Sequence, residues 1–120
     1  MAMYAYREQG RKRGVTKPNI VICRSAHSAF EKAAFYLNLR VKVVGQDKDY
    51  KMDVRQTRRA VDSDTIAIVA SAPNFSSGIV DDIEALSDVA SEANVGMHVD
   101  CCLGGFVIAF AEKIKLEQKE

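Results

Sequence analysis

The run Thr65-Ile66-Ala67-Ile68-Val69-Ala70 is apolar at every position after its threonine, and it is too short for an ordinary buried helix. A strand with one wet face alternates apolar and polar residues, so an unbroken short run fits a strand covered on both faces, as in a parallel sheet flanked by helices. Ile20 to Cys23, Val41 to Val44 and Val95 to Val99 repeat the theme. Between these runs the apolar spacing becomes helical. Ala26, Ala29, Phe30, Ala33, Ala34 and Leu37 mark one helix, Val54, Ala60 and Val61 a second, and Ile83, Leu86, Val89 and Ala90 a third. Residues 1 to 13 favour helix up to Gly14, and Pro18 separates them from the first strand. This alternation predicts a single α/β unit with four candidate parallel strands, crossover helices on both faces and no linker or repeat. Ser25 is expected to cap the helix after the first strand, while Asp53 with Gln56 and Asp81 with Glu84 read as capping boxes. Phe106 to Phe110 reads as a further buried segment.

A chain of 120 residues suits one modest domain, and 48% hydrophobic with 28% charged residues argues against disordered and fibrous classes. The longest mostly apolar stretch, Val99 to Ala111, is broken by glycines and too short to span a bilayer, and the N-terminus has no apolar signal core. The net charge is +1. Arg7, Arg11, Lys12, Arg13 and Lys17 cluster near the start, but with no opposing basic stripe they read as the wet face of a helix, and no nucleic-acid partner is expected. Cys23, Cys101 and Cys102 are odd in number, with two adjacent, which speaks against a disulfide framework and for an intracellular chain with reduced thiols.

Ligand sites in open α/β sheets lie beyond the carboxyl ends of the strands. Ser25 to Ser28, Ser71 to Gly78 and Asp100 to Gly105 all fall at such ends. Asp100 at a strand tip could balance a ligand's positive charge, or it could cap the next turn; both readings stand on the residues alone. His27, at a helix start that disfavours a protonated ring, could stack on a flat ligand or relay a proton, while residue type alone favours a hydrogen-bonded structural histidine. His98, within an apolar strand, reads as structural. Adjacent cysteines cannot easily face one ion, so His98, Cys101 and Cys102 do not make a metal site, and no metal is expected. The glycine patterns of dinucleotide and Walker loops, the two-cysteine redox motif and the hydrolase nucleophile elbow are all missing from the sequence.

Two segments resemble a known family. Ser25-Ala26-His27-Ser28-Ala29-Phe30 is similar to the Ser-Ala-His helix start of the sphingosine-1-phosphate lyases, and His98-Val99-Asp100-Cys101-Cys102-Leu103-Gly104-Gly105-Phe106 to their His-Val-Asp-x-Cys-Leu-Gly-Gly signature. Met52-Asp53-Val54-Arg55 and the Pro73 to Gly78 loop add agreement. The lyases belong with the glutamate and aromatic amino-acid decarboxylases, which use pyridoxal phosphate. The resemblance implies a fragment of the mostly parallel central sheet of an aspartate-aminotransferase-like large domain, covering residues 1–113, followed by a charged tail at 114–120. It implies that Asp100 pairs with the cofactor's pyridine nitrogen, that His27 stacks on the ring, and that Cys102 adjoins the same cofactor. The implied reaction cleaves a phosphorylated sphingoid base to a fatty aldehyde and phosphoethanolamine. A decarboxylase of the glutamate or aromatic type, or a noncatalytic remnant, is the alternative. The complete enzyme is implied to be a homodimer, held at the endoplasmic reticulum in eukaryotes by a separate anchor.

The chain also departs from the family. Cys101 stands where Ala is common, Ala72 where Thr is common, and Ser76-Ser77 replaces a Pro-His pair. It is expected to begin after the family's glycine-rich phosphate turn and to stop before the lysine that anchors the cofactor. Lys113, Lys115 and Lys119 lack that lysine's Asp-x-His-Lys context, so the chain alone is expected to be catalytically silent.

Overall fold

A computed structural model describes residues 2–26, 28–72 and 79–100. In chain order the elements are α1 (Ala2–Lys12), β1 (Asn19–Cys23), α2 (Ala29–Leu37), β2 (Arg40–Val44), α3 (Val54–Ala60), β3 (Thr65–Ser71), α4 (Ile83–Ala93) and β4 (Gly96–Asp100). All four expected strands form, and they pair in parallel in the order β2-β1-β3-β4. The unbroken apolar strand β3 is buried at every position, as is β1, because each has a strand on both sides and helices on both faces. Strand β2 lies at the edge, where Arg40 and Lys42 put charge on a row of open backbone groups and disfavour further pairing.

Alternation along the strands sorts side chains into two cores. Ile20, Ile22 and Val69 pack beneath α1 and α2 with Met3, Phe30 and Ala34, while Val21, Ile68 and Ala70 face α3 and α4 with Met52, Leu86 and Val89. Gly96 sets the distance between α1 and β4. A Cβ built there would lie 2.2 Å from the ring of Tyr6, whose hydroxyl donates to the Met97 carbonyl at 2.7 Å. Close approach of the ring, rather than a special dihedral angle, is why a residue without a side chain stands there.

Three expected caps resolve differently. Asp53 accepts from the Gln56 amide as anticipated, but the Gln56 side chain turns away and accepts from the Gly45 amide at 2.8 Å, so the box is half made. Helix α2 begins at Ala29 with Ser28 at its N-cap position; Ser25 belongs to the preceding turn and does not cap it. Helix α4 is capped by Asp82, not Asp81, through a bond from the Ala85 amide. Both C-termini end on a left-handed asparagine, Asn38 at φ 56° and Asn94 at φ 55°, a conformation asparagine tolerates better than most residues.

The amino ends of the strands are closed by a polar clasp. Asn19 donates to Asp62 at 3.0 Å and accepts from Thr65 at 2.7 Å, Lys42 pairs with Asp62, and Arg40 pairs with Asp64 at 3.3 Å. The Lys42 ammonium, then the Asn19 amide, hold the Asp62 carboxyl well below the usual carboxylate range. The segment Phe106 to Phe110 and the tail at 114–120 lie outside the described residues. No helix among the described residues is long and apolar enough to cross a membrane.

Candidate functional site

From β1 the chain crosses to β2 on one side, and from β3 it passes to β4 on the other, so the direction of winding reverses between β1 and β3. Their exits also diverge in depth: β1 is followed by α2 on one face, β3 by α4 on the opposite face. A crevice at such a switch point is where open α/β sheets take ligands. Of the three segments expected at strand ends, the described residues Ser25, Ser71 and Asp100 lie at or just beyond the carboxyl ends of β1, β3 and β4.

Asp100 closes β4 and lies opposite Ser71 in the β3–β4 register. The pairing continues one step further, with the Ala72 amide donating to the Asp100 carbonyl at 2.8 Å. Gly96 meets Tyr6 of α1 and His98 meets Phe30 of α2, so the alternate residues of β4 that include Asp100 face the α1–α2 side. Val95 and Met97 pack on the other side, as the alternation predicted. Asp100 is half-buried, which strengthens any pairing of its carboxylate with a cation. His98 stands edge-on to Phe30 with ring centroids 5.6 Å apart, which supports its structural reading.

Helix α1 runs from the carboxyl ends of the strands toward their amino ends: Met3 lies by His98, Tyr6 by Met97, and Gly10 against Ile66 at the start of β3. A groove of about 250 Å³ opens between the starts of α1 and α2, lined by Met3, Ala29, Phe30, Ala33 and His98. It lies on the Asp100 side of the sheet. An apolar groove on the same side of the sheet as a half-buried carboxylate suits a flat ring with a protonated nitrogen, and the pyridine ring of pyridoxal phosphate is one. Ala72, where the resemblance expects a threonine, is buried beside Asp100 and offers the site only its backbone. His27, Cys101, Cys102 and the loop from Pro73 to Gly78 lie outside the described residues.

Asp81, read as a cap, is the residue sequence reasoning missed. It is 5% exposed, and its two carboxylate oxygens accept from the Met52 and Ser71 amides, each at 2.8 Å. Its own amide donates to the Ser71 carbonyl at 2.9 Å. Asp81 thereby closes the loop that leaves β3 and fixes the strand end facing Asp100. The only sequence signal was the doublet Asp81-Asp82, in which one carboxylate suffices for a cap and the other needs a different employment.

Comparison with known proteins identifies this arrangement. The family model for the pyridoxal-dependent decarboxylase conserved domain matches residues 3–117. The chain is 47% identical over 103 residues to a sphingosine-1-phosphate lyase from Oryza sativa, covering 86% of this chain and 19% of that protein. It is 42% identical to sphingosine-1-phosphate lyase 1 of Rattus norvegicus, covering 94% of this chain and 20% of the relative. The chain thus spans about a fifth of the length of these curated relatives. Among solved structures, a Burkholderia pseudomallei sphingosine-1-phosphate lyase superposes with a TM-score of 0.89 at 41% identity, over 92% of this chain and 26% of that one. A Lactobacillus brevis glutamate decarboxylase superposes at 0.78 with 30% identity, over 92% of this chain and 27% of that one. A parallel sheet with its carboxylate at the tip of β4, matched along nearly its whole length by this model, makes the chain a member of the pyridoxal-dependent decarboxylase family.

Proposed function

We propose that this chain forms the ring-binding wall of a pyridoxal-phosphate-dependent carbon–carbon lyase that cleaves a phosphorylated sphingoid base to a fatty aldehyde and phosphoethanolamine. The observation that carries the reading is the position of Asp100, half-buried at the tip of β4 beside the switch point, inside the segment that resembles the lyase signature. Bound pyridoxal phosphate supplies the electron sink for breaking the carbon–carbon bond. Asp100 keeps a proton on the ring nitrogen, and each pKa unit by which it favours that proton is worth about 1.4 kcal/mol. In this reading His27 lies flat against the ring and Cys102 adjoins it. The groove between α1 and α2 keeps water from one side of the ring. The complete enzyme works as a homodimer. None of Lys113, Lys115 and Lys119 is assigned the covalent anchor, so the chain alone binds the cofactor without turning over substrate.

A second reading, amino-acid decarboxylation, is favoured by one relative: the chain is 36% identical over 120 residues to a probable L-tyrosine/L-aspartate decarboxylase of Methanothermobacter thermautotrophicus, spanning 32% of that protein. Product analysis separates the two. A longer protein carrying this segment should release a fatty aldehyde from a sphingoid phosphate and no carbon dioxide from glutamate, tyrosine or aspartate. For the chain itself, fluorescence titration with pyridoxal phosphate should show saturable binding that Asp100→Asn weakens about tenfold or more, the loss of one charge-assisted contact. Equal affinity in the two forms would overturn the role of Asp100. An absorbance band near ~420 nm that borohydride converts to a covalent adduct would overturn the silence of the isolated chain.

A further inference from the structure

The hydrogen bonds outside the carboxyl ends of the strands join into one belt. Ser71, opposite Asp100, is bound to Asp81; Asp81 is bound to the Met52 amide; Met52 stands opposite Gln46 in a bridge closed by the Asp47 amide on the Lys51 carbonyl and the Asp53 amide on the Gly45 carbonyl; and Gln46 reaches the β1–α2 turn. The last link is made by one side chain. The Gln46 amide nitrogen donates one hydrogen to the Ser25 hydroxyl at 3.1 Å and the other to the Tyr50 carbonyl at 3.0 Å, using both of its protons. Ser25 in turn lies 3.3 Å from the Cys23 thiol, and the turn is closed by the Ala26 amide on the Cys23 carbonyl at 2.9 Å. The Tyr50 carbonyl is presented by a tyrosine at φ 61°, an uncommon conformation for a bulky residue, stabilised as Asp47 accepts from the Asp49 and Lys51 amides. Gln46 itself is exposed and belongs to neither hydrophobic core. Its amide therefore does little for global folding and much for where the turn sits.

The geometry points to Gln46 as a positioning residue: through Ser25 it sets the β1–α2 turn against the end of β4, so that the two walls of the crevice hold their spacing for the cofactor. The inference rests on the pyridoxal phosphate reading above. Gln46 touches no reacting atom; it acts through Ser25. Leucine at this position offers no proton to either the Ser25 hydroxyl or the Tyr50 carbonyl.

The test uses the chain with Gln46→Leu, Ser25→Ala and the double variant, reading amide hydrogen exchange and pyridoxal phosphate affinity. Gln46→Leu should speed exchange at Ala26 about fivefold, the equilibrium worth of one neutral hydrogen bond, with Ile68 and Val69 of β3 unchanged. Cofactor affinity should fall by a similar factor, and the double variant should do no more than either single change. Unaltered exchange at Ala26, or effects that multiply in the double variant, would overturn the link. Faster exchange with unchanged affinity would overturn the positioning role while leaving the cofactor reading intact. Absence of binding with Gln46 in place would sink the cofactor reading itself, and the positioning role with it.

Discussion

The two ends of the sheet are built on different plans. At the amino ends, charged and amide side chains bind one another, with some backbone groups joining them: Asn19, Thr65, Asp62 and Lys42 form a network near the entries of three strands, Lys42 also donating to the Ala60 carbonyl and Asp62 accepting from the Asp64 amide, with Arg40 and Asp64 beside it. At the carboxyl ends, side chains bind mostly backbone: Asp81 accepts from two amides, and Gln46 donates to the Tyr50 carbonyl and to one side chain, the Ser25 hydroxyl. A network of side chains satisfies itself and leaves nothing for a ligand. A belt anchored largely on backbone fixes the strand ends beside Asp100. Exposed charge pairing is concentrated at one edge, and a buried carboxylate gripping backbone amides at the other.

The largest blow to that division should come from Asp81, because a buried carboxylate with two amide donors leaves both donors unsatisfied when it is removed. Asp81→Ala is expected to cost about 3 kcal/mol in urea unfolding, and Asp81→Asn, which keeps one good acceptor, clearly less. If Asp81→Ala costs under about 1 kcal/mol, the carboxyl edge is not held by this belt and the contrast between the ends fails.

Why Asp81 was not legible in the sequence is instructive. Asp81 and Asp82 both precede the helical pattern, and either satisfies a capping rule. The choice is made by the Met52 amide, which lies 29 residues away and is brought close only by the fold. Ser25 repeats the case: local pattern makes it a cap, while Gln46, on the far side of α2 and β2, makes it part of a turn. What depends on periodicity was readable. The unbroken run at Thr65 to Ala70 announced a covered strand, helical spacing announced α2 and α4, and two-residue alternation put His98 and Asp100 on one face. The strand order, and with it the switch point between β1 and β3, is set by packing of whole elements and has no local signature.

A second prediction probes how closely α1 must approach β4. Gly96→Ala places a methyl 2.2 Å from the Tyr6 ring, so the helix or the ring must shift. Overpacking of this kind costs roughly 2 kcal/mol. Thermal unfolding should show the loss, and Tyr6→Leu in the same chain should recover part of it by freeing the space. A neutral Gly96→Ala would mean that α1 is loosely held and the groove beside His98 is not a fixed wall.

The amino-edge clasp supplies the smaller effects, and they separate a network from a lone pair. Asp62 is held below its usual range chiefly by Lys42, so its stabilisation is complete above the ordinary carboxylate pKa, about pH 4, and drains away as pH falls further. Because the carboxylate is exposed, screening trims its worth to about 1 kcal/mol. Asp62→Asn should lower the urea midpoint at pH 7 and flatten its decline toward pH 3, with cofactor affinity unchanged. Arg58 and Glu92 offer the control: their charges are 3.7 Å apart, both well exposed, and joined to no third group in the same contact. Glu92→Ala should move stability by no more than about 0.3 kcal/mol, with no change in its pH profile. If both substitutions cost the same, the clasp is a set of independent surface pairs, and closure of the amino edge has to be credited to Asn19 and Thr65, whose hydrogen bond at 2.7 Å is buried and carries no charge.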